Sequence, residues 1–248
     1  IFQADEPTET HVPFPGAAEQ NPEVLFHQVV RLIRQVYPKT QPGNDLTGIV
    51  FSGAMHSLIA LDPAGVALTQ AWLWSDLRAA ETAIALRQRN AGLDIYARIG
   101  TPIHPMSPLV KIAWLRERQP HLFGRSPLFM GIKDYVLTKL LGRPVCDTSM
   151  ASATGLLNTY SGKWDDQALN IAGISERQLP DLVSPTRVFK LPAATAQLLG
   201  VPPDTVLIPG ASDGALANLG SGAHTPETLA LTIGTSAALR LTLNAPML

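Results

Sequence analysis

The chain's 248 residues are enough for one large domain or two smaller ones with a substantial core, and 46% hydrophobic against 16% charged residues excludes a disordered chain. Nineteen Lys and Arg against 20 Asp and Glu leave a formal net charge of -1, so no global field draws the chain to nucleic acid or anionic lipid. A single cysteine, Cys146, excludes an internal disulfide and a multi-cysteine metal site, and fits a reducing compartment.

The acidic opening carries no basic segment followed by an apolar run, and no stretch reaches the roughly 18 apolar residues of a membrane-spanning helix. A soluble cytoplasmic protein without nucleic-acid or membrane partners is the expectation. The missing initiator Met suggests that the true beginning lies elsewhere.

Residues 1–20, polar and punctuated by prolines, predict an irregular or edge-strand segment. At Asn21-Pro22-Glu23 a cap and a first-turn proline introduce Leu25, Val29, Leu32, Ile33 and Val36 at helical spacing, a helix ending before Pro38. The turn cluster Pro42-Gly43-Asn44-Asp45 leads into the run 46–52, expected as a strand buried on both faces, with Met55 and His56 at its exit. Asp62-Pro63-Ala64-Gly65 predicts a hairpin turn. Ala71-Trp72-Leu73-Trp74 then returns as a strand, and Ser75 or Asp76 caps a helix reaching about Gly92.

Ser107-Pro108 starts another helix with Leu109, Ile112, Ala113 and Leu115 as its apolar stripe, and a further helix spans 132–141 up to Gly142. Short helical pieces separated by prolines fill 164–196, and a helix over 193–199 ends at Gly200. The run 205–210 reads as a buried strand handing over at Ser212-Asp213-Gly214 to a helix of small residues. Strands at 228–233 and 237–243 flank Gly234-Thr235-Ser236 as a hairpin. The alternation is mixed α/β.

Asp213 is the leading chemical candidate, because a carboxylate at the C-terminal end of a buried strand faces the crevice where open α/β sheets bind ligands. The alternative is a plain helix cap. Gly234, Thr235 and Ser236 combine amides, close approach and hydroxyls suited to phosphate, although any hairpin turn can hold these residue types. His56 could hydrogen-bond a hydroxyl or be structural. Trp74, Asp76 and Arg78 offer an aromatic plane and two opposite charges to a polyhydroxylated ligand, or else a helix cap beside a surface Arg. No Walker-type loop, zinc spacing or Gly-x-Ser-x-Gly elbow is present.

Taken in order, five segments resemble the FGGY carbohydrate kinases, a family with an actin/hexokinase-like (ribonuclease H-like) α/β fold. Ser52-Gly53-Ala54-Met55-His56 is similar to the Ser-Gly-Gln-Met-His segment whose Met-His pair contacts sugar, and Trp74-Ser75-Asp76-Leu77-Arg78 to a sugar-lining Trp-x-Asp-x-Arg segment. The run from Met106 to Glu117 follows the family's first signature, with Arg118 departing at its last polar position. Gly210-Ala211-Ser212-Asp213-Gly214 resembles the segment bearing the catalytic base, and Gly234-Thr235-Ser236 the turn that contacts ATP phosphates. The segments 100–108 and 148–156 most resemble the gluconokinase branch, with xylulokinase as the alternative because Met-His is shared.

The resemblance implies transfer of the ATP γ-phosphoryl group, with Mg²⁺, to a terminal hydroxyl of a sugar or sugar acid. Asp213 would be the base, and Met55, His56, Trp74, Asp76, Arg78 and Met106 would line the substrate site. Arg78 is the cation expected for a carboxylate substrate, and Gly234, Thr235 and Ser236 would hold phosphates. No metal ligand is assigned, and a homodimer is left open. The expected division is 1–224, a sugar-binding lobe lacking the family's opening phosphate hairpin, and 225–248, the first hairpin of an ATP-binding lobe. An incomplete lobe of this kind is expected to be inactive alone and to expose apolar surface.

Overall fold

A computed structural model describes residues 2–37, 46–89, 92–233 and 237–245. The turn cluster at 42–45 and the glycine turn at 234–236 lie outside the described residues. The opening segment is irregular until β1 (Glu19–Gln20), and α1 (Pro22–Val36) begins where expected, its first amides donating to Asn21 Oδ1 from Glu23 and Val24.

Next come β2 (Gly48–Gly53), β3 (Ile59–Leu61) and β4 (Ala71–Trp72). The expectation that β2 is buried on both faces is corrected: Ile49 and Phe51 pack on the core, but Val50 is 65% exposed. Among the described residues β2 is an edge strand, and its alternate residues face an uncovered side. The turn at Asp62–Gly65 forms, its Asp62 Oδ1 accepting the amides of Ala64 and Val66.

Helix α2 (Ala80–Gln88) starts later than expected and has no side-chain cap, so neither Ser75 nor Asp76 caps it. It is followed by α3 (Gly92–Ile99), a helix absent from the sequence reading. Beyond it lie α4 (Pro108–Arg118), α5 (Pro120–Gly124), β5 (Leu128–Met130) and α6 (Ile132–Leu141), the last stopping at Gly142 as expected. Then come β6 (Val145–Asp147), α7 (Thr148–Ser152), β7 (Leu157–Asn158), β8 (Lys163–Trp164) and α8 (Asp166–Ala172). The proline-rich stretch also holds two short strands, β9 (Asp181–Val183) and β10 (Phe189–Lys190), before α9 (Ala193–Leu199).

The main sheet has the order β10-β11-β2, with β11 (Val206–Ser212) parallel to β2. Strand β3 divides the core. Ile59 and Leu61 join a cluster with Phe26, Leu137, Leu199 and Leu207, while Leu58 and Ala60 face a second built on Trp72, Ile99, Leu109 and Ile112. Helix α10 (Asp213–Gly220) leaves the end of β11, and β12 (Leu229–Ile233) and β13 (Ala237–Leu241) pair with each other. One face of that hairpin exposes Leu229, Leu231, Ile233, Leu239 and Leu241, the apolar surface that was expected.

The approach of β11 to α10 depends on a bulge. Register with β2 gains one residue between Ile208 and Ala211, where Pro209 has no amide to give to the ladder. Gly210 there has φ +65°, and a Cβ on it would sit 1.8 Å from the Phe51 carbonyl oxygen. Gly210→Ala should therefore lower stability by about 3 kcal/mol in denaturant titration, a strain and overlap cost. An unchanged midpoint would contradict the bulge geometry.

Candidate functional site

Two chain exits meet at α4, residues 54–56 after β2 and residues 73–78 after β4, and the β11–α10 junction lies against the first of them, where Met55 Cε is 3.3 Å from the position a Cβ on Gly214 would take. Helix α4 carries Lys111 in an otherwise apolar run, and the residue is fully buried. Its Nζ donates to the carbonyls of His56 at 2.8 Å, Leu73 at 2.6 Å and Trp72 at 3.3 Å. Three acceptors call for three hydrogens, which only the ammonium form provides. Burial pushes its pKa down to about 7, with Asp76 pulling it up and Arg78 pushing it further down.

His56 is the one described non-glycine residue with positive φ, at 69°. Its ring Nδ1 lies 2.7 Å from the Ala153 carbonyl oxygen, and since a carbonyl only accepts, Nδ1 carries the hydrogen. Burial lowers the His56 pKa most, opposed by that hydrogen bond and the Asp213 charge, and aided by Lys111 and His104. The neutral ring keeps Nε2 as an acceptor for a ligand hydroxyl. The Met106 amide donates to His104 Nδ1 at 3.2 Å, and His104 is one of the groups that lowers the His56 pKa.

The segment 74–78 divides into two parts. Trp74 is 56% exposed and available to a ligand. Asp76 is fully buried, and its two oxygens accept from Ala18 N, Arg78 N, Arg78 Nε and Arg78 Nη2 at 2.8–3.1 Å, which fills its acceptor positions. Arg78 also pairs with Glu19, and its guanidinium lies 4.1 Å from the centroid of the Trp72 ring. Its side chain is only 5% exposed. The reading of Arg78 as a free cation for a substrate carboxylate is therefore corrected: with Asp76 it locks the β4 exit to residue 18.

Asp213 is exposed at the start of α10, and it is not the cap. Ser212 fills that role, its Oγ accepting from Ala215 N at 3.4 Å and lying 3.1 Å from Ser149 Oγ. Asp213 Oδ1 accepts its neighbour's amide, Gly214 N, at 2.7 Å, and no described cation forms an ion pair with it. The bulge behind it is held by buried Lys133, whose Nζ donates to the Pro209 and Ala211 carbonyls at 3.0 and 3.2 Å and pairs with Asp147 at 2.7 Å.

Gly234, Thr235 and Ser236 lie outside the described residues. Among the described residues no group of three or more His, Cys, Asp or Glu side chains could hold a metal ion, and no helix is long and apolar enough to cross a membrane. Sequence reasoning gave no role to Lys111, Lys133, Ser149 or His104. For Lys111 the signal was present, as a single charge inside an apolar helical run, whereas Lys133 stands beside Asp134 at the start of α6; the acceptors of both lie 38–78 residues away.

Residues 1–220 match the FGGY family of carbohydrate kinases, N-terminal domain. The chain is 40% identical over 238 residues to a gluconokinase of Bacillus subtilis, covering 95% of this chain and 46% of that one. It is 29% identical to a xylulose kinase of Staphylococcus epidermidis, over 95% of this chain and 47% of that protein. The crystal structure of gluconate kinase from Lactobacillus acidophilus superposes with a TM-score of 0.93 at 34% identity, covering 98% of this chain and 49% of that one. The chain thus spans about half the length of the curated relatives it matches.

Lys111→Met strips the His56 carbonyl of its donor and should cost about 2 kcal/mol of stability. With a folded pKa near 7 and an unfolded value of 10.5, the unfolded chain holds the extra proton between those pH values, so this group makes stability rise with pH there. Denaturant titrations from pH 7 to 10 should show that rise in the parent and less of it in Lys111→Met. Equal slopes would contradict the lowered pKa of Lys111, and equal stabilities would contradict its role as the donor to the His56 carbonyl.

Proposed function

The chain belongs to the FGGY family of carbohydrate kinases, and from that premise we propose that the complete protein transfers the γ-phosphoryl group of ATP to the terminal hydroxyl of a sugar acid, with gluconate giving 6-phosphogluconate. The observation that carries this reading is Asp213, an exposed carboxylate with no ion-pair partner among the described residues, at the C-terminal end of a parallel strand and within the electrostatic reach of a neutral His56.

Phosphoryl transfer needs alignment and charge neutralisation more than covalent help. Asp213 accepts the hydroxyl proton as the new O–Pγ bond forms and the bond from Pγ to the ADP oxygen breaks. His56 Nε2 accepts a hydrogen bond from a second hydroxyl, while Met55, Trp74 and Met106 offer apolar surface to the carbon chain. Asp76 and Arg78 act behind these groups as positioning residues. Gly234, Thr235 and Ser236 are assigned to the phosphates, and Mg²⁺ supplies charge neutralisation when it arrives with ATP.

The division into an acceptor lobe at 1–224 and the first hairpin of an ATP-binding lobe at 225–248 belongs to the same proposal. It is supported by β12 and β13, which pair with no other described strand and leave an apolar face open. A xylulokinase-type activity is the second reading, favoured by the Met55-His56 pair. Gluconate is preferred because the gluconokinase relative is the more similar of the two kinds over the same share of the chain.

Asp213→Asn in the complete protein keeps the side-chain acceptor for Gly214 N and removes the base. Turnover of gluconate should fall by about 10²–10⁴-fold while calorimetric gluconate affinity stays near the parent's. An Asn variant that phosphorylates gluconate at close to the parent rate would remove Asp213 from the role of base.

A further inference from the structure

A substrate carboxylate needs a cation, and three candidates near the site are already committed. Lys111 is spent on backbone carbonyls, Lys133 on two carbonyls and Asp147, and Arg78 on Asp76 and Glu19. Arg240 on β13 is different. Its cross-strand partner is Ala230, which is buried, whereas Leu239 and Leu241 beside it are exposed, so Arg240 extends from the face of the hairpin turned toward the body of the lobe.

Its guanidinium rests over Gly214, the residue after Asp213. Arg240 Nε and Cζ lie 3.2 and 3.5 Å from the position a Cβ on Gly214 would take, and Met55 Cε lies 3.3 Å from that same position. A side chain at 214 would press on both groups, so the glycine leaves room for them. Arg240 Nη1 donates to Thr232 Oγ1 at 3.2 Å, which orients the guanidinium plane. No carboxylate pairs with Arg240 among the described residues.

We propose that Arg240 is the cation that pairs with the carboxylate of the substrate, making it a specificity-determining residue for sugar acids over neutral sugars. The inference rests on the sugar-acid reading above. Strand β13 begins at Ala237, three residues before Arg240, and the guanidinium stands between Gly214 and Thr232. There it stands beside Met55 and the base. A planar guanidinium donates paired, charge-assisted hydrogen bonds to a carboxylate, and a neutral polyol has no group that repays them as well.

The test uses the complete protein with gluconate and ATP, comparing the parent with Arg240→Gln and Arg240→Lys. The Gln variant should raise KM for gluconate by ~30-fold or more, with KM for ATP within about twofold of the parent, and Lys should fall between. An unchanged gluconate KM overturns the proposal. So does a rise in KM for ATP with gluconate KM unmoved, which would make Arg240 a phosphate ligand. Should the Gln variant melt early, the Lys variant decides: a higher gluconate KM supports the pairing and an unchanged one overturns it. A parent that turns over neutral sugars and no aldonic acid fails earlier, on the substrate reading, and takes the proposal with it.

Discussion

One buried lysine ties the exits of β2 and β4 to α4. Lys111 sits in the dry interior of α4 and donates to the carbonyls of His56, Trp72 and Leu73, so the exits of β2 and β4 share a single donor. His56 adopts a left-handed backbone conformation that a side-chain-bearing residue visits at a cost, and the Lys111 and Ala153 contacts hold it there. A buried charge without a carboxylate partner is itself expensive, which is why its pKa falls. Lys133 repeats the device at the β11 bulge, with Asp147 sharing the load. Both lysines fix backbone carbonyls at strand exits.

The charges divide accordingly. Asp76 and Arg78 neutralise each other behind the surface, where Arg78 also stacks over Trp72. Asp213 and Arg240 have no ion-pair partners among the described residues, and Arg240 and Met55 both stand against Gly214, the residue after Asp213. A neutral imidazole with a free acceptor completes the set. Buried pairs fix geometry, while the exposed Asp213 carboxylate and the half-buried Arg240 guanidinium have no ion-pair partner among the described residues.

What the sequence made legible follows from the range of each interaction. Helices α1, α6 and α9 announced their ends through Asn21, Gly142 and Gly200, local signals within one turn, and β11 through its apolar run. Strands of two or three residues, such as β6, β9 and β10, have no periodicity to read and exist only because a distant partner pairs with them. Asp76 looked like a cap because Asp before a helix usually is one, yet its carboxylate is claimed by Ala18 N, 58 residues away. The position of Asp213 could be inferred from the strand-to-helix junction. The placement of Arg240 could not, since it depends on a hairpin folding back over Gly214.

The central claim is that these exits form one acceptor site for a sugar acid, with the reacting hydroxyl at Asp213 and the carboxylate at Arg240. A crystal structure of the complete protein with gluconate and a non-hydrolysable ATP analogue tests it most directly. The account predicts the terminal hydroxyl about 3 Å from the Asp213 carboxylate, another hydroxyl on His56 Nε2 and the substrate carboxylate against Arg240. Gluconate bound with its carboxylate at Asp213, or away from residues 54–56 altogether, would contradict it.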